Sequence, residues 1–303
     1  MASRKKTFFI TGAGRGIGRG LSRLLLGDGH RVFLVDADAT ELEHTAGVLA
    51  RSHRRGTDFE AARCDVRRPD EVRAAAARAS SLFGPARGLD CLVNNAAYTG
   101  GVGGASLADL TLDEWNRSVE TNLTGPMLVT QACLPMLRAA TAAAKHTPSS
   151  TTTTAAAVTP SSTTTPPPPS SSSPSGGSSC VIHMSSTRAF MSEPDNEAYA
   201  ATKAGLVGLA QSMAVSLARD GIRVNALLPG WIHVGDECRA ADEAGARWED
   251  GLSDADMRWH LTGRVGRVED VMRAVVYLAE SDGVSGVEMV VDGGVTRKMV
   301  YPE

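Results

Sequence analysis

Short apolar segments bounded by turn residues alternate with helix-period segments along the chain. The apolar segments in the first part are TFFIT, RVFLVD, FEAARCDV and LDCLVNNA, and the helix-period segments that follow them cover 16–27, 39–52, 69–83 and 113–138. The alternation resumes later with CVIHM, a helix over 197–219, IRVNALLP, a helix over 268–280 and GVEMVVDGG. This alternation is typical of parallel strands joined by crossover helices. It predicts an α/β fold: a single doubly wound, Rossmann-type domain over 1–303 with a seven-stranded parallel sheet and helices on both faces.

Two segments depart from this alternation. Between Thr147 and Ser179 the chain has no charged residue and consists of Thr, Ser, Pro, Ala and Gly with one Val. Such a segment cannot bury enough apolar surface to offset the entropy of ordering it, so we expect a disordered Ser/Thr/Pro-rich insertion over 139–179. A glycosylated stalk has a similar composition, but the N-terminus shows no secretory signal.

The second segment, 231–262, is polar and contains Trp231, Trp248 and Trp259 among carboxylates. It predicts two amphipathic helices. These helices either form a lid over the substrate, or use the tryptophans to pack against the domain or a partner subunit.

Composition narrows the function classes. The net charge of -3, with basic and acidic residues interspersed, indicates no nucleic-acid partner and no anionic membrane surface. The five cysteines show no CxxC or other ligand spacing, so we expect free thiols, no structural metal and a reducing compartment. No apolar run reaches transmembrane or signal-peptide length, which favours a cytoplasmic protein.

A glycine-rich turn follows the first apolar segment. Gly12, Gly16 and Gly18 lie between that segment and the first predicted helix, with the spacing Gly-x-x-x-Gly-x-Gly. Glycines at this place allow backbone N–H groups to approach a pyrophosphate at a helix N-terminus. Asp36 ends the second apolar segment, 24 residues beyond Gly12, where a carboxylate can bind the adenosine ribose of NAD and repel the 2'-phosphate of NADP. Arg15 could instead meet that phosphate, so NAD is favoured and NADP stays possible.

A tyrosine and a lysine lie four residues apart in the stretch NEAYAATKAGL. Helical geometry places Tyr199 and Lys203 on one face, one turn apart. A nearby ammonium favours the phenolate, which makes the phenol a usable proton donor or acceptor near neutral pH. The alternative is an ordinary helix with a packed tyrosine and an exposed lysine.

The segments TGAGRGIG, CDV, NNAA, TNLTG, MSS, YAATK, RVNALLPG and VDGG, in this order, resemble the short-chain dehydrogenase/reductase family. The resemblance covers nearly the whole chain apart from the insertion. It implies an NAD(P)(H)-dependent oxidoreductase that transfers a hydride between a nicotinamide and a secondary alcohol or ketone of a small metabolite. It also implies a homo-oligomer, a tetramer or a dimer. The alternative function is a non-catalytic dinucleotide-binding regulator or scaffold of the same fold.

The resemblance also implies roles for single residues. Tyr199 would be the general acid or base, Lys203 would hold the nicotinamide ribose and lower the pKa of Tyr199, Ser186 would orient the carbonyl, and Asn122 would anchor a water that relays protons. Asp65 and Val66 would meet the adenine, and Asn94 would steady the central strands. The cofactor-binding residues that it implies are Gly12, Arg15, Gly16, Ile17, Gly18, Asp36, Asp65, Val66, Asn94, Ala96, Tyr199, Lys203, Pro229, Gly230 and Ile232.

Two positions depart from the family pattern. Ala97 replaces a glycine near the nicotinamide ribose, and Val234 replaces a threonine that commonly binds the carboxamide. The stretch YTGGVGGAS, the residues after Ser186 and the segment 231–262 are expected to line the substrate pocket. Arg188 and His233 are its candidate polar contacts.

Overall fold

Seven parallel strands form the single sheet that organises the chain. The computed structural model describes residues 4–100, 102–103, 105–145 and 177–299. The strands are β1 (Thr7–Thr11), β2 (Arg31–Asp36), β3 (Phe59–Arg63), β4 (Cys91–Asn94), β5 (Cys180–Met184), β6 (Arg223–Pro229) and β7 (Glu288–Val291). Their order is β3-β2-β1-β4-β5-β6-β7. The predicted doubly wound sheet of seven parallel strands is confirmed.

Nine α-helices are present in the described part of the chain. They are α1 (Gly16–Gly27), α2 (Ala39–Leu49), α3 (Pro69–Phe83), α4 (Leu112–Val119), α5 (Gly125–Lys145), α6 (Glu197–Leu217), α7 (Arg239–Ala244), α8 (Asp254–Trp259) and α9 (Val268–Glu280). Apolar residues of α1, α2 and α9 form one core with one face of the sheet. Those of α3, α5 and α6 form a second core with the other face. Because both faces are covered, β1, β5 and β6 are buried along their whole length.

The order of the strands indicates at which edge of the sheet a ligand would bind. The chain leaves β1 toward β2 and β3 on one side and returns through β4 on the other, so β1 and β4 are neighbours at the point where the winding reverses. In open α/β sheets, ligands bind outside the carboxyl ends of the strands at this crevice. The glycine turn follows β1 directly at this edge.

The helix after β4 is longer than expected. It is continuous from α4 through a π-helical segment, Glu120–Thr124, into α5. Its stretch Leu112–Ala144, 33 residues long, is by length and composition able to cross a membrane, although 44% of its most apolar window is buried. Length and composition alone are weak evidence for a membrane span, because the core helix of a folded domain passes the same test. Val129, Cys133 and Leu137 account for the apolar character, because they are buried in the core beside α3.

The boundaries of the predicted insertion also need correction. Residues 139–145 are the last turns of α5, where Ala140 and Ala144 are buried. The hydroxyls of Thr141 and Ser179 lie 2.8 Å apart, so residues on both sides of the insertion are fixed to each other. The predicted disordered segment is therefore restricted to 146–176, which lies outside the described residues.

All five cysteines are free thiols. Cys91 and Cys180 face each other in register on β4 and β5, with their Sγ atoms 3.3 Å apart and both side chains fully buried. Burial raises the pKa of the Cys133 thiol, which lies in the core beside α3. Within the described residues, no group of three or more His, Cys, Asp or Glu side chains could hold a metal ion.

A buried histidine should make the protein sensitive to acid. His183 lies in β5 with no exposed surface, and burial lowers its pKa from 6.5 to about 4. Between these pH values the unfolded chain binds more protons than the folded one, so stability is lost as pH falls. We expect the free energy of unfolding to decrease by roughly 3 kcal/mol from pH ~6.5 to ~4 through this residue.

Urea unfolding at a series of pH values measures this slope, and His183→Gln should flatten it. The same variant at about pH 8, where the imidazole is neutral in both states, shows the packing cost alone. An equally steep acid slope in His183→Gln would assign the acid sensitivity to other groups.

Candidate active site

The glycine turn lets α1 begin directly beside the end of β1. Gly12 and Gly16 have φ values of +64° and +62°, which L side chains rarely adopt. A Cβ at Gly18 would overlap the carbonyl oxygen of Gly12, so Gly18 allows the close approach of helix and turn. Among the described residues, only the end of the Val234 side chain lies near the place where a Cβ of Gly16 would be. The turn is therefore not crowded by side chains at Gly16.

Asp36 lies at the end of β2 with its carboxylate fixed at the rim of this cleft. Its Oδ2 accepts a hydrogen bond from the Gly14 N–H at 2.9 Å, and its Oδ1 accepts one from the Asp38 N–H at 2.9 Å. Asp38 in turn caps α2 by accepting from the N–H groups of Thr40 and Glu41. Each oxygen of Asp36 has a further lone pair with which to bind a hydroxyl.

A cavity of about 650 Å³ extends along the strand ends. It brings together most of the predicted cofactor-binding residues. Those that line it are Gly12, Arg15, Gly16, Ile17, Asp36, Asp65, Val66, Ala96, Tyr199, Lys203, Pro229 and Gly230, with Ser186 beside them. Both departures from the family pattern, Ala97 and Val234, also line it.

Four predicted site residues do not line this cavity. Gly18 is a packing position, and Ile232 lines a neighbouring cavity instead. Asn94 is buried, and its Nδ2 donates to the Thr130 hydroxyl at 3.1 Å. Its expected role in steadying the central strands agrees with this position, whereas a direct contact with a cofactor in the cleft does not.

Asn122, the fourth, lies inside the π-helical segment and is fully buried. Its Oδ1 accepts from the Tyr98 N–H at 2.6 Å, and its Nδ2 donates to the Tyr98 carbonyl at 3.1 Å and to the Thr202 hydroxyl at 3.1 Å. The side chain thus ties the loop after β4 to the first turns of α6. In a π-turn the hydrogen bonds span one residue more than in an α-helix, as in the bond from the Gly125 N–H to the Glu120 carbonyl.

Tyr199 and Lys203 lie one turn apart near the start of α6, both on the wall of the cavity. The Lys203 Nζ is 5.3 Å from the centre of the Tyr199 ring and donates to the Met184 carbonyl at 2.8 Å. Burial lowers the pKa of Lys203 to about 8. The lysine is thus buried and paired with a backbone carbonyl, which excludes the alternative of a solvated surface residue.

The electrostatics of Tyr199 differ from expectation in one respect. Burial raises the pKa of Tyr199, while a hydrogen bond with Ser186 and the charge of Arg188 act in the opposite direction. Lys203 is not among the groups that lower it here. That Lys203 lowers the pKa of the phenol stays a prediction for the cofactor-bound site.

The two adjacent serines after β5 make different contacts, which distinguishes their roles. Ser185 is buried and its hydroxyl donates to the Lys203 carbonyl at 2.7 Å. The Ser186 Oγ accepts the Arg188 N–H at 3.2 Å and faces both cavities. Ser186 is therefore the serine beside the Tyr199 phenol.

A second cavity, of about 580 Å³, adjoins the first, and five residues line both: Ile17, Thr99, Ser186, Tyr199 and Gly230. Its walls come from the three regions expected to line a substrate pocket. They contribute Thr99, Val102, Thr187, Arg188, Met191, Glu193, Trp231, Ile232 and Trp259, and Val295 near the C-terminus adds a wall that was not predicted. Trp231 and Trp259 thus face this cavity, and each is about two-fifths exposed, at 40% and 39%.

Trp248 and His233, also in the segment 231–262, act in packing. Trp248 lies under the Arg267 guanidinium, 3.8 Å from the ring centre, and its ring meets that of His233 edge to face. Neither Trp248 nor His233 lines the two cavities. Packing therefore holds for Trp248. Trp231 and Trp259 lie at the smaller cavity, and the lid stays a prediction.

This segment also covers the glycine turn, which the sequence did not predict. The Gly16 N–H donates to the Glu237 carbonyl at 2.7 Å. The Glu237 side chain is buried and pairs with Arg23 at 2.5 Å and Arg19 at 3.3 Å, and Arg19 also binds Asp242 on α7. Ion pairs with α1 therefore hold the start of the 231–262 segment over the cleft.

Further residues that line the larger cavity were not predicted from the sequence. Asn95 donates through Nδ2 to the carbonyls of Thr11 and Gly12, which braces the turn. Arg67 forms a bidentate pair with Asp65, and Arg117 lies 4.6 Å from the centre of the Tyr98 ring. The second asparagine of NNAA was the available signal for Asn95; the arginines reach the cleft only through the fold.

A doubly wound sheet with a glycine turn, an acidic strand end and a tyrosine-lysine pair beside one cleft defines a Rossmann-type α/β protein of the oxidoreductase class. Two family models match the chain, the short chain dehydrogenase model over residues 6–158 and the enoyl-(acyl carrier protein) reductase model over residues 172–296. The chain belongs to the short-chain dehydrogenase/reductase family of NAD(P)-dependent oxidoreductases.

Individual relatives are similar to this chain over nearly their full length. An uncharacterized oxidoreductase of Thermotoga maritima is 31% identical over 98% of each chain. The 3-oxoacyl-(acyl-carrier-protein) reductase FabG of Staphylococcus aureus is 30% identical over 95% of this chain and 97% of its own. The solved structure of an apo SCOR enzyme from Clostridium thermocellum matches with a TM-score of 0.70 and 25% identity, covering 99% of this chain and 96% of that one.

Proposed function

We propose that this protein interconverts a ketone and a secondary alcohol of a small metabolite, with a nicotinamide cofactor as the second reactant. The observation that carries this function is the position of Ser186 and Tyr199 on the wall shared by the two cavities. A group that must donate a proton to one reactant while the other lies beside it has to lie at such a junction. FabG, named as an oxoacyl reductase, supports a carbonyl substrate class.

The residues of the larger cavity fit a dinucleotide. The glycine turn and the N-terminus of α1 would hold the pyrophosphate, for which the Gly16 N–H would leave the Glu237 carbonyl. Asp36 would hold the adenosine ribose, and Asp65 with Val66 would flank the adenine. Lys203 would hold the nicotinamide ribose. A bound nicotinamide supplies or accepts the hydride. Because the Asp36 carboxylate would repel a 2'-phosphate, we propose NAD rather than NADP.

Side chains of the protein transfer the proton. The Tyr199 hydroxyl donates it to the carbonyl oxygen in reduction and takes it from the alcohol in oxidation. The Ser186 hydroxyl, beside that phenol, donates a hydrogen bond that orients the carbonyl and stabilises the charge developing on its oxygen. The Lys203 Nζ lies 5.3 Å from the Tyr199 ring centre, and with the cofactor bound its charge would favour the phenolate. Asn122 positions the loop carrying Tyr98 and, as proposed from the family, a proton-relaying water.

Cofactor titration tests the function directly. NADH and NADPH are added to the purified protein while their fluorescence is followed, and ketones and polyols are then screened by the loss or gain of the reduced-nicotinamide absorbance. Tight binding of NADH followed by turnover supports the proposal. Binding without turnover of any substrate would favour the regulator or scaffold, and binding of neither cofactor would refute both.

We also propose a homo-oligomer. Leu112 and Val215, on α4 and α6, have exposed fractions of 71% and 80%, and β7 is an edge strand of the sheet. Exposed apolar side chains on long helices and an unpaired strand edge are features of subunit interfaces. Sedimentation equilibrium at micromolar concentration should give a dimer or tetramer; a monomer would contradict this proposal.

A further inference from the structure

Arg188 is one of the two charged residues in the wall of the smaller cavity, and the other is Glu193. It lies in the 3-10 turn Thr187–Ala189, directly after Ser186, and lines the smaller cavity with Trp231, Trp259 and Met191. Its side chain is only 21% exposed. A guanidinium that is mostly withdrawn from water in such a place needs a partner for its N–H groups.

The partner of Arg188 in the described part of the chain is a weak competitor for a ligand. Its Nη2 donates to Glu193, whose side chain is 55% exposed and also borders the cavity. An ion pair open to water contributes little stability, because solvent screens it and both side chains lose rotamer freedom. A carboxylate that enters the cavity can therefore replace Glu193 at low cost.

Arg188 also lies close enough to influence the proposed reaction centre. Its positive charge lowers the pKa of Tyr199, in opposition to burial. The backbone N–H of the same residue donates to the Ser186 Oγ at 3.2 Å. Arg188, Ser186 and Tyr199 therefore line one cavity of about 580 Å³.

We propose that Arg188 binds the carboxylate of the substrate, which makes the substrate class a short oxo acid and the corresponding hydroxy acid. The planar guanidinium presents paired N–H donors that match a carboxylate. The carbonyl of the same molecule lies toward Ser186 and Tyr199, and its aliphatic part contacts Trp231 and Trp259. In the reduction, a bound reduced nicotinamide would supply the hydride for the new C–H bond and become oxidised, and the Tyr199 hydroxyl would supply the proton for the O–H bond.

A matched pair of small ligands tests this assignment without turnover. Butyrate and butyramide have nearly the same shape, but only butyrate is an anion. Each is titrated into the protein saturated with its reduced cofactor, and the fluorescence of the cavity tryptophans is followed. Charge-assisted hydrogen bonds predict that butyrate binds about 10- to 100-fold more tightly than butyramide.

Three variants separate the contributions. Arg188→Gln should remove the preference for the anion and leave butyramide binding unchanged. Glu193→Gln should tighten butyrate binding, because the competing carboxylate is gone. Arg138→Gln, which breaks the exposed pair with Asp220 on another face, is the matched control and should change neither affinity.

The role of Arg188 rests on the proposed oxidoreductase function, but different results would contradict the two proposals. If neither NADH nor NADPH binds, the proposed function fails. If cofactor binds and Tyr199-dependent turnover of neutral ketones occurs, while butyrate and butyramide bind equally or not at all, then only the role of Arg188 is wrong. A preference for butyrate that persists in Arg188→Gln would also overturn it.

Discussion

Tyr199→Phe should reduce turnover by about 10²- to 10⁴-fold while leaving the Kd for the nicotinamide cofactor nearly unchanged. The substitution removes one oxygen and keeps the ring, whose position is set by α6. A positioned general acid or base contributes about this factor, which corresponds to about 3–5 kcal/mol of activation free energy. Stopped-flow or steady-state absorbance of the reduced nicotinamide measures the rate, and fluorescence titration measures the affinity.

The matched control for this prediction is Tyr277→Phe. Tyr277 lies on α9 and is 50% exposed, remote from both cavities. Its loss of one hydroxyl should change neither rate nor affinity. Turnover of Tyr199→Phe within tenfold of the unmodified protein would show that another group transfers the proton.

Asp36→Ala should change the ratio of the Kd values for NADH and NADPH by about 10³-fold in favour of NADPH. Loss of charge-assisted hydrogen bonds to the ribose weakens NADH by about 10- to 100-fold. Removal of a like charge strengthens the binding of the 2'-phosphate, for which Arg15 is present on the same cavity wall. Parallel fluorescence titrations with the two cofactors give this ratio.

Asp36 also accepts hydrogen bonds from the N–H groups of Gly14 and Asp38, so its substitution could weaken the fold as well as cofactor binding. Two further variants distinguish these effects. Asp36→Asn keeps an acceptor for one of them and should show the same direction with a smaller ratio. Asp38→Ala removes the α2 cap, at about 1 kcal/mol of stability, and should leave the ratio of Kd values unchanged. An unchanged ratio in both Asp36 variants would place the adenosine ribose elsewhere.

The bounds of the regular elements followed closely from the local pattern. The predicted helix over 16–27 is α1, that over 69–83 is α3 and that over 268–280 is α9, each with the same limits. Periodicity and turn residues act over a few residues, so they are visible in the sequence itself. The end of α5 was misplaced because a run of alanine and threonine has no periodicity, and its order depends on contacts such as Thr141 with Ser179.

The site was predictable in part. The family resemblance implied that Gly12, Asp36 and Tyr199 contact one cofactor, and the three residues line one cavity. The contact of Glu237 with the glycine turn at Gly16 was not expected. It is held by ion pairs such as Arg23–Glu237, which join residues more than 200 positions apart in the chain. The π-helical segment at Asn122 likewise has no pattern in the letters TNLTG.

The sequence by itself determined the doubly wound fold, the tyrosine-lysine pair and the acidic end of β2, because each depends on short-range spacing and hydrophobic burial. Only the tertiary structure decided which way each side chain faces. It showed Asn94 packed beneath the cleft, Trp248 stacked on Arg267, and Arg188 turned into the smaller cavity beside Tyr199. These outcomes depend on packing between elements distant in the chain, and such packing leaves no periodic trace in the sequence.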